Sequence, residues 1–178
     1  MIQLLSLLST FISRLIAGML LMLGLCASAQ AALVTCTGSA ADSYTPGITQ
    51  TAQTVQVDTT STYSQCTSLL PLWNGSAVSH ANFPFAGASC LSLLGVSTGT
   101  MAKTINWSDG TSSTWSGGTS TVNAVEGSTV IVRVAPITDG RYLGRSVVET
   151  KVYLNTDLNA CSTSGMSSLN GTAELLIL

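Results

Sequence analysis

Few side chains in this sequence combine the type and spacing that chemistry needs, so each candidate can be weighed singly. His80 is the only histidine, and a Ser-His-Asp hydrolase would have to use it as its base. In so serine-rich a sequence a serine near His80 carries no information. Paired carboxylates for glycoside chemistry would have to come from eight acids, most of them beside turn glycines or within strand patterns where solvation explains them. Asp157 and Asn159 have the spacing of two calcium ligands without the rest of a loop. There is no Cys-x-x-Cys, which argues against zinc and thioredoxin-type chemistry. The expectation is a non-enzymatic protein with no catalytic residue, no metal site and no cofactor.

The best candidates for binding lie between Cys66 and Cys90, a segment that breaks the surrounding pattern and reads as an irregular excursion. Trp73, Phe83 and Phe85 supply aromatic surface, and Asn74 and His80 supply hydrogen-bonding groups among them. Aromatic platforms with polar rims suit sugars or partner proteins. The competing explanation is that the three aromatics plug one open end of the fold. Nucleic acid is a poor partner, because the chain carries a formal charge of -2 and no basic cluster.

The cysteines place these residues in an oxidising compartment. Arg14 precedes an unbroken apolar stretch from Leu15 to Cys26, the length of a signal-peptide core and short for a membrane span. Ala29 and Ala31 then set small residues where a signal peptidase cuts, so residues 1–31 read as a leader and 32–178 as a single exported domain with no membrane span. The destination is secreted or periplasmic; the alternative is a lipid anchor at Cys26, against which Leu25 is a poor preceding residue. Four cysteines remain and allow three connectivities. Cys36 with Cys66 and Cys90 with Cys161 is the preferred set, since adjacent strands of a meander bring near neighbours together.

Short Val-, Ile- and Thr-rich runs separated by Gly, Pro and Asp must hold the candidates in place. The run ending at Trp107 and the run from Ser112 to Trp115 flank Asp109-Gly110; a two-residue loop there pairs Trp107 with Ser112 and puts the two tryptophans on opposite faces. The runs 129–135 and 146–154 need Val134 opposite Val148 if Val130, Val132, Val134, Val148, Val152 and Leu154 are to share a core face. The loop between them is then 139–143, and Arg133, Glu149 and Lys151 fall on a solvated outer face. A last strand, 172–178, has one charged side chain and could pair with another chain if it lies at an edge. Seven or eight strands suit an all-β, antiparallel two-sheet sandwich, with a small closed β-barrel as the alternative.

The order of Cys36-Thr37-Gly38, Tyr44-Thr45-Pro46-Gly47, Gly99-Thr100, Trp107, Gly110, Gly140 and Gly144 around Tyr142, Cys161 and Asn170-Gly171-Thr172 resembles a group of bacterial secreted β-domain proteins without assigned activity. The resemblance spans nearly the whole exported part and implies a fold and a location only. The functional expectation is a binding or interaction module for a protein or glycan. The alternatives are a structural or adhesin subunit assembling through edge strands and, behind it, a secreted hydrolase. Fimbrial subunits are similar in size and export, but their aromatic C-terminal signature is absent.

Overall fold

In the computed structural model, residues 32–90, 97–98, 101–125, 127–154, 161 and 165–178 are described. The expected leader 1–31 with its alternative anchor Cys26, and the Asp157/Asn159 pair, lie outside them. The described strands are β1 (Val34–Ile48), β2 (Gln53–Leu69), β3 (Leu72–Ala88), β4 (Ser97–Thr98), β5 (Ala102–Trp107), β6 (Ser112–Ser116), β7 (Thr119–Val125), β8 (Ser128–Gly140), β9 (Ser146–Leu154) and β10 (Met166–Ile177). All ladders are antiparallel, and the order β8-β6-β5-β3-β2-β1-β10-β9 returns to β8 through the β8–β9 ladder. The fold is therefore an eight-strand closed barrel, not a sandwich; β7 adds to β8 outside the ring, with β4 paired to it. Closure leaves the C-terminal strand no edge, because β10 is paired to β1 on one side and β9 on the other. Assembly through that strand loses its premise.

Both expected disulfides are present. Cys36 and Cys66 face each other across β1 and β2, and Cys90 joins Cys161. Next to the first of them, Gly38 lies at a bulge where Thr37 opposes Gln65 and Gly38 opposes Tyr63. A Cβ on Gly38 would run into the Thr62 carbonyl, so only glycine lets the two backbones approach this closely.

The segment between Cys66 and Cys90 is not an irregular excursion. Most of it is β3, paired to β2 from Leu69↔Leu72 through Gln53↔Ala88. Pro84 misleads the reading of the sequence. It lies beyond His80↔Thr104, the last β3–β5 pair, where β3 is paired only to β2 among the described ladders and a missing N–H is tolerated.

Two register expectations meet different outcomes. Between β8 and β9, Val134 opposes Val148 and Arg133 opposes Glu149, as the pattern requires. The faces are the reverse of those expected: Val147, Glu149, Lys151 and Tyr153 are buried in the barrel, and Val134 and Leu154 are exposed outside it. The ladder ends at Pro136↔Ser146 and β8 runs on to Gly140 against β6, so the turn is 141–144, not 139–143. In the β5–β6 hairpin Asn106 pairs with Ser112 and Lys103 with Trp115. Ser108 joins Asp109 and Gly110 in a three-residue loop, closed by Trp107 N–H to Thr111 O at 2.9 Å with Gly110 at a positive φ. That one-residue change turns both tryptophans inward, and both are buried.

Candidate functional site

The barrel interior is built from alternate residues of each strand, and at mid-height these are charged. Asp42, Lys103, Glu149 and Lys151 are all buried. Two similar clusters result, each a lysine, a carboxylate, a hydroxyl and a tyrosine. In the first, Glu149 Oε1 accepts hydrogen bonds from Lys103 Nζ at 2.5 Å, Tyr63 Oη at 2.8 Å and Ser61 Oγ at 2.9 Å. In the second, Lys151 Nζ donates to Asp42 Oδ1 at 2.8 Å and Thr59 Oγ1 at 2.6 Å, and Tyr153 Oη donates to Asp42 Oδ2 at 2.7 Å. Each cluster ties β9 across the lumen to strands on the far side.

Burial dominates the electrostatics but does not discharge the pair. Desolvation lowers the Lys103 ammonium to about 8 against the opposing pull of Glu149. Burial alone would raise Glu149; the nearby Lys103 and Lys151 charges, with hydrogen bonds from Lys103 and Tyr63, outweigh it and hold the carboxyl at about 2. Lys103 and Glu149 are thus an ion pair at neutral pH. The Tyr63 phenol is pushed well above its ordinary value by burial and then by Glu149, so it stays a donor. A lysine, a carboxylate and hydroxyls could serve acid–base chemistry; here they are buried and hydrogen-bonded to one another.

The accessible chemistry lies at one end of the barrel. There Trp73, at the start of β3, meets Trp107 edge-on with ring centroids 5.8 Å apart, and Trp107 meets Tyr142 edge-on at 5.7 Å. Gly75 makes this possible, since a Cβ there would enter the Trp73 ring. Arg141 Cζ lies 5.1 Å from the Trp73 ring centre and 4.8 Å from that of Tyr142, and the guanidinium is ion-paired to Asp109. Tyr142 Oη and Ser68 Oγ share a hydrogen bond of 3.0 Å, which fixes the 141–144 turn to the end of β2. Around this clamped centre stand four exposed leucines: Leu69 at 60%, Leu70 at 69%, Leu72 at 82% and Leu143 at 64%.

The five binding candidates from the sequence do not converge. Trp73 joins the end just described and Asn74 is exposed beside it. Phe83 and Phe85 lie ten and twelve residues further along β3, about 33 Å away or more by strand geometry, and pack against the core. His80 faces outward from mid-strand, with Nε2 3.1 Å from Asp58 Oδ2, and no nucleophile is bonded to it among the described residues. Sequence reasoning missed Arg141, Tyr142 and the leucines. Their only sequence signal was Leu69-Leu70-Pro71-Leu72, an apolar run at a turn, where solvation should favour polar residues.

Among the described residues no group of three or more His, Cys, Asp and Glu side chains could hold a metal ion, and no helix is long and apolar enough to cross a membrane. The outward face of the barrel carries Gln56, Asp58, His80, Asn82 and Glu174, unlike the apolar band of a lipid-embedded barrel. No protein-family model, curated protein or solved structure matches this chain.

Proposed function

We propose that the chain is an exported, non-enzymatic binding module that grips a protein partner through the end of the barrel formed by 69–73 and 141–143. The observation that carries this reading is the set of four exposed leucines around the Trp73, Arg141 and Tyr142 cluster. Water-exposed leucines grouped on two adjoining turns are unfavourable unless something covers them. Trp, Tyr and Arg are the side chains that concentrate binding energy at protein interfaces. Their mutual contacts pre-order the surface, so little side-chain freedom remains to be lost on association.

A glycan is the weaker reading. A sugar platform needs a free aromatic face, and Arg141 lies against both Trp73 and Tyr142. The expected export fits the two disulfides, which form and persist outside the reducing cytoplasm. The reading is tested with glycan arrays and with partner capture by the purified protein, alongside Leu72→Asp and Leu143→Asp variants. Capture of a defined protein that both variants lose, with blank glycan arrays, is the expected result. Saturable binding of a glycan that the variants retain would overturn it.

A further inference from the structure

The leucine-rich end narrows the kind of protein that fits it. Its apolar surface is aliphatic: Leu69, Leu70, Leu72 and Leu143 stand between 60% and 82% exposed. Leucine seldom carries the binding energy of transient complexes, whereas the interfaces of permanent homodimers are more apolar and resemble a protein core cut in half. A permanent partner must also be present wherever the chain is, in matching amounts. A second copy, made and exported with the first, meets that condition.

Charge points the same way. The turns 69–73, 108–110 and 139–145 at this end carry two acids, Asp109 and Asp139, and two bases, Arg141 and Arg145, so they are neutral while the chain as a whole stands at -2. Two copies can meet through them without net repulsion. Arg141 is ion-paired to Asp109, but Asp139 and Arg145 are both exposed and in no ion pair among the described residues. They stand on the two limbs of the turn that carries Leu143, where Ile137 N–H donates to Arg145 O at 2.8 Å. A two-fold axis passing between the limbs exchanges them, and so brings each copy's Arg145 to the other copy's Asp139.

We infer, resting on the reading of this end as a protein-docking surface, that the partner it grips is a second copy of this chain. The two barrels meet end to end about a two-fold axis, with the leucines of both copies covered between them and Arg145 of each copy paired to Asp139 of the other. Every contact then occurs twice, so one substitution in the chain alters two places in the interface.

Sedimentation equilibrium of the purified exported protein should show a dimer in the micromolar range, which Leu72→Asp and Leu143→Asp each convert to a monomer with the parent's circular dichroism. Asp139→Arg and Arg145→Asp should each weaken the dimer by about tenfold or more, because like charges then face each other twice. A one-to-one mixture of these two charge variants should recover the parent's affinity as a heterodimer, which a change acting within one chain would not do. A monomer at every concentration, with an adduct to a different protein when a photo-crosslinking amino acid stands at Leu72, would overturn the second copy and leave the docking end intact. A monomer without any adduct would remove both. A dimer that survives Leu72→Asp and Leu143→Asp, or charge variants that dimerise singly like the parent, would also overturn the inference.

Discussion

Removing the Glu149 carboxylate should be among the most damaging single changes in the barrel. Glu149→Ala strands the Lys103 ammonium, whose side chain has no solvent exposure, and leaves the Tyr63 and Ser61 hydroxyls without their acceptor. Breaking a buried pair by deleting one partner costs about 3 to 5 kcal/mol, and each buried hydroxyl left unpaired adds about 1 to 3 kcal/mol. Domains of this size are stable by about 5 to 15 kcal/mol, so half or more of the total is at stake. The assay is guanidinium unfolding with the disulfides intact, comparing Glu149→Ala, Lys103→Met and Glu149→Leu/Lys103→Met. The double variant should be more stable than the worse of the two singles, because it removes both charges and leaves no ion unpaired. A loss below about 1 kcal/mol for Glu149→Ala would refute the buried pair, since that is the range of a surface contact.

The same geometry fixes several other outcomes. Val132→Asp, on the outward face of β8, should fold with a loss under about 1 kcal/mol by equilibrium unfolding, whereas accumulation failure would restore the inward-valine assignment. Glu149 has a folded pKa near 2, below its ordinary 4.5, so its stabilising contribution is complete above pH 4.5 and lost as pH falls toward 2. Unfolding midpoints across that window should drop more steeply in the parent than in Glu149→Leu/Lys103→Met, which keeps the other lowered carboxyls, Asp58 and Asp109. Lys103 has the opposite sense: its folded pKa near 8 lies below 10.5, the unfolded chain holds more protons between them, and its term favours folding increasingly as pH rises from 8 to 10.5. Carbon-13 NMR of the Lys103 side chain should show a midpoint near 8; a midpoint at 10.5 would mean the amine is solvated. Replacing Cys90 and Cys161 together by serine opens a loop with a sequence separation of 71 and should cost roughly 4 kcal/mol by loop entropy, measured by the same unfolding assay.

What could be read from the residues was pairing; what could not was which way the pairs point. Val134 opposite Val148 follows from matching two valine runs, and that match is equally good with the runs inside or outside. Choosing the valines as core assumes an apolar interior. This lumen instead takes its charges in pairs that neutralise each other across the barrel, while β-branched residues serve the outer face, where the strand geometry favours them as well. Tyr153 was the overlooked cue, because it has the parity of Glu149 and Lys151 and is the bulkiest side chain of β9, needed to fill the lumen. The β5–β6 faces failed for a smaller reason: Ser108 belongs to the loop, and one residue inverts a strand. Barrel closure itself depends on β8 meeting β9 along one stretch and β6 along another, which no local pattern in Ser128–Gly140 announces. The leucine-rich end was legible only at Trp73, Asn74 and the apolar turn, since Arg141 and Tyr142 join it through contacts more than sixty residues distant in sequence.

Docking through the end of the barrel is tested most directly by a photo-crosslinking amino acid placed at Leu72 in the producing cells, with the outward-facing Thr62 as the control position. A single protein adduct at Leu72, absent at Thr62 and abolished by Leu143→Asp, is the predicted result. Adducts of equal yield at both positions, or none at Leu72 while the protein still binds its partner, would contradict it.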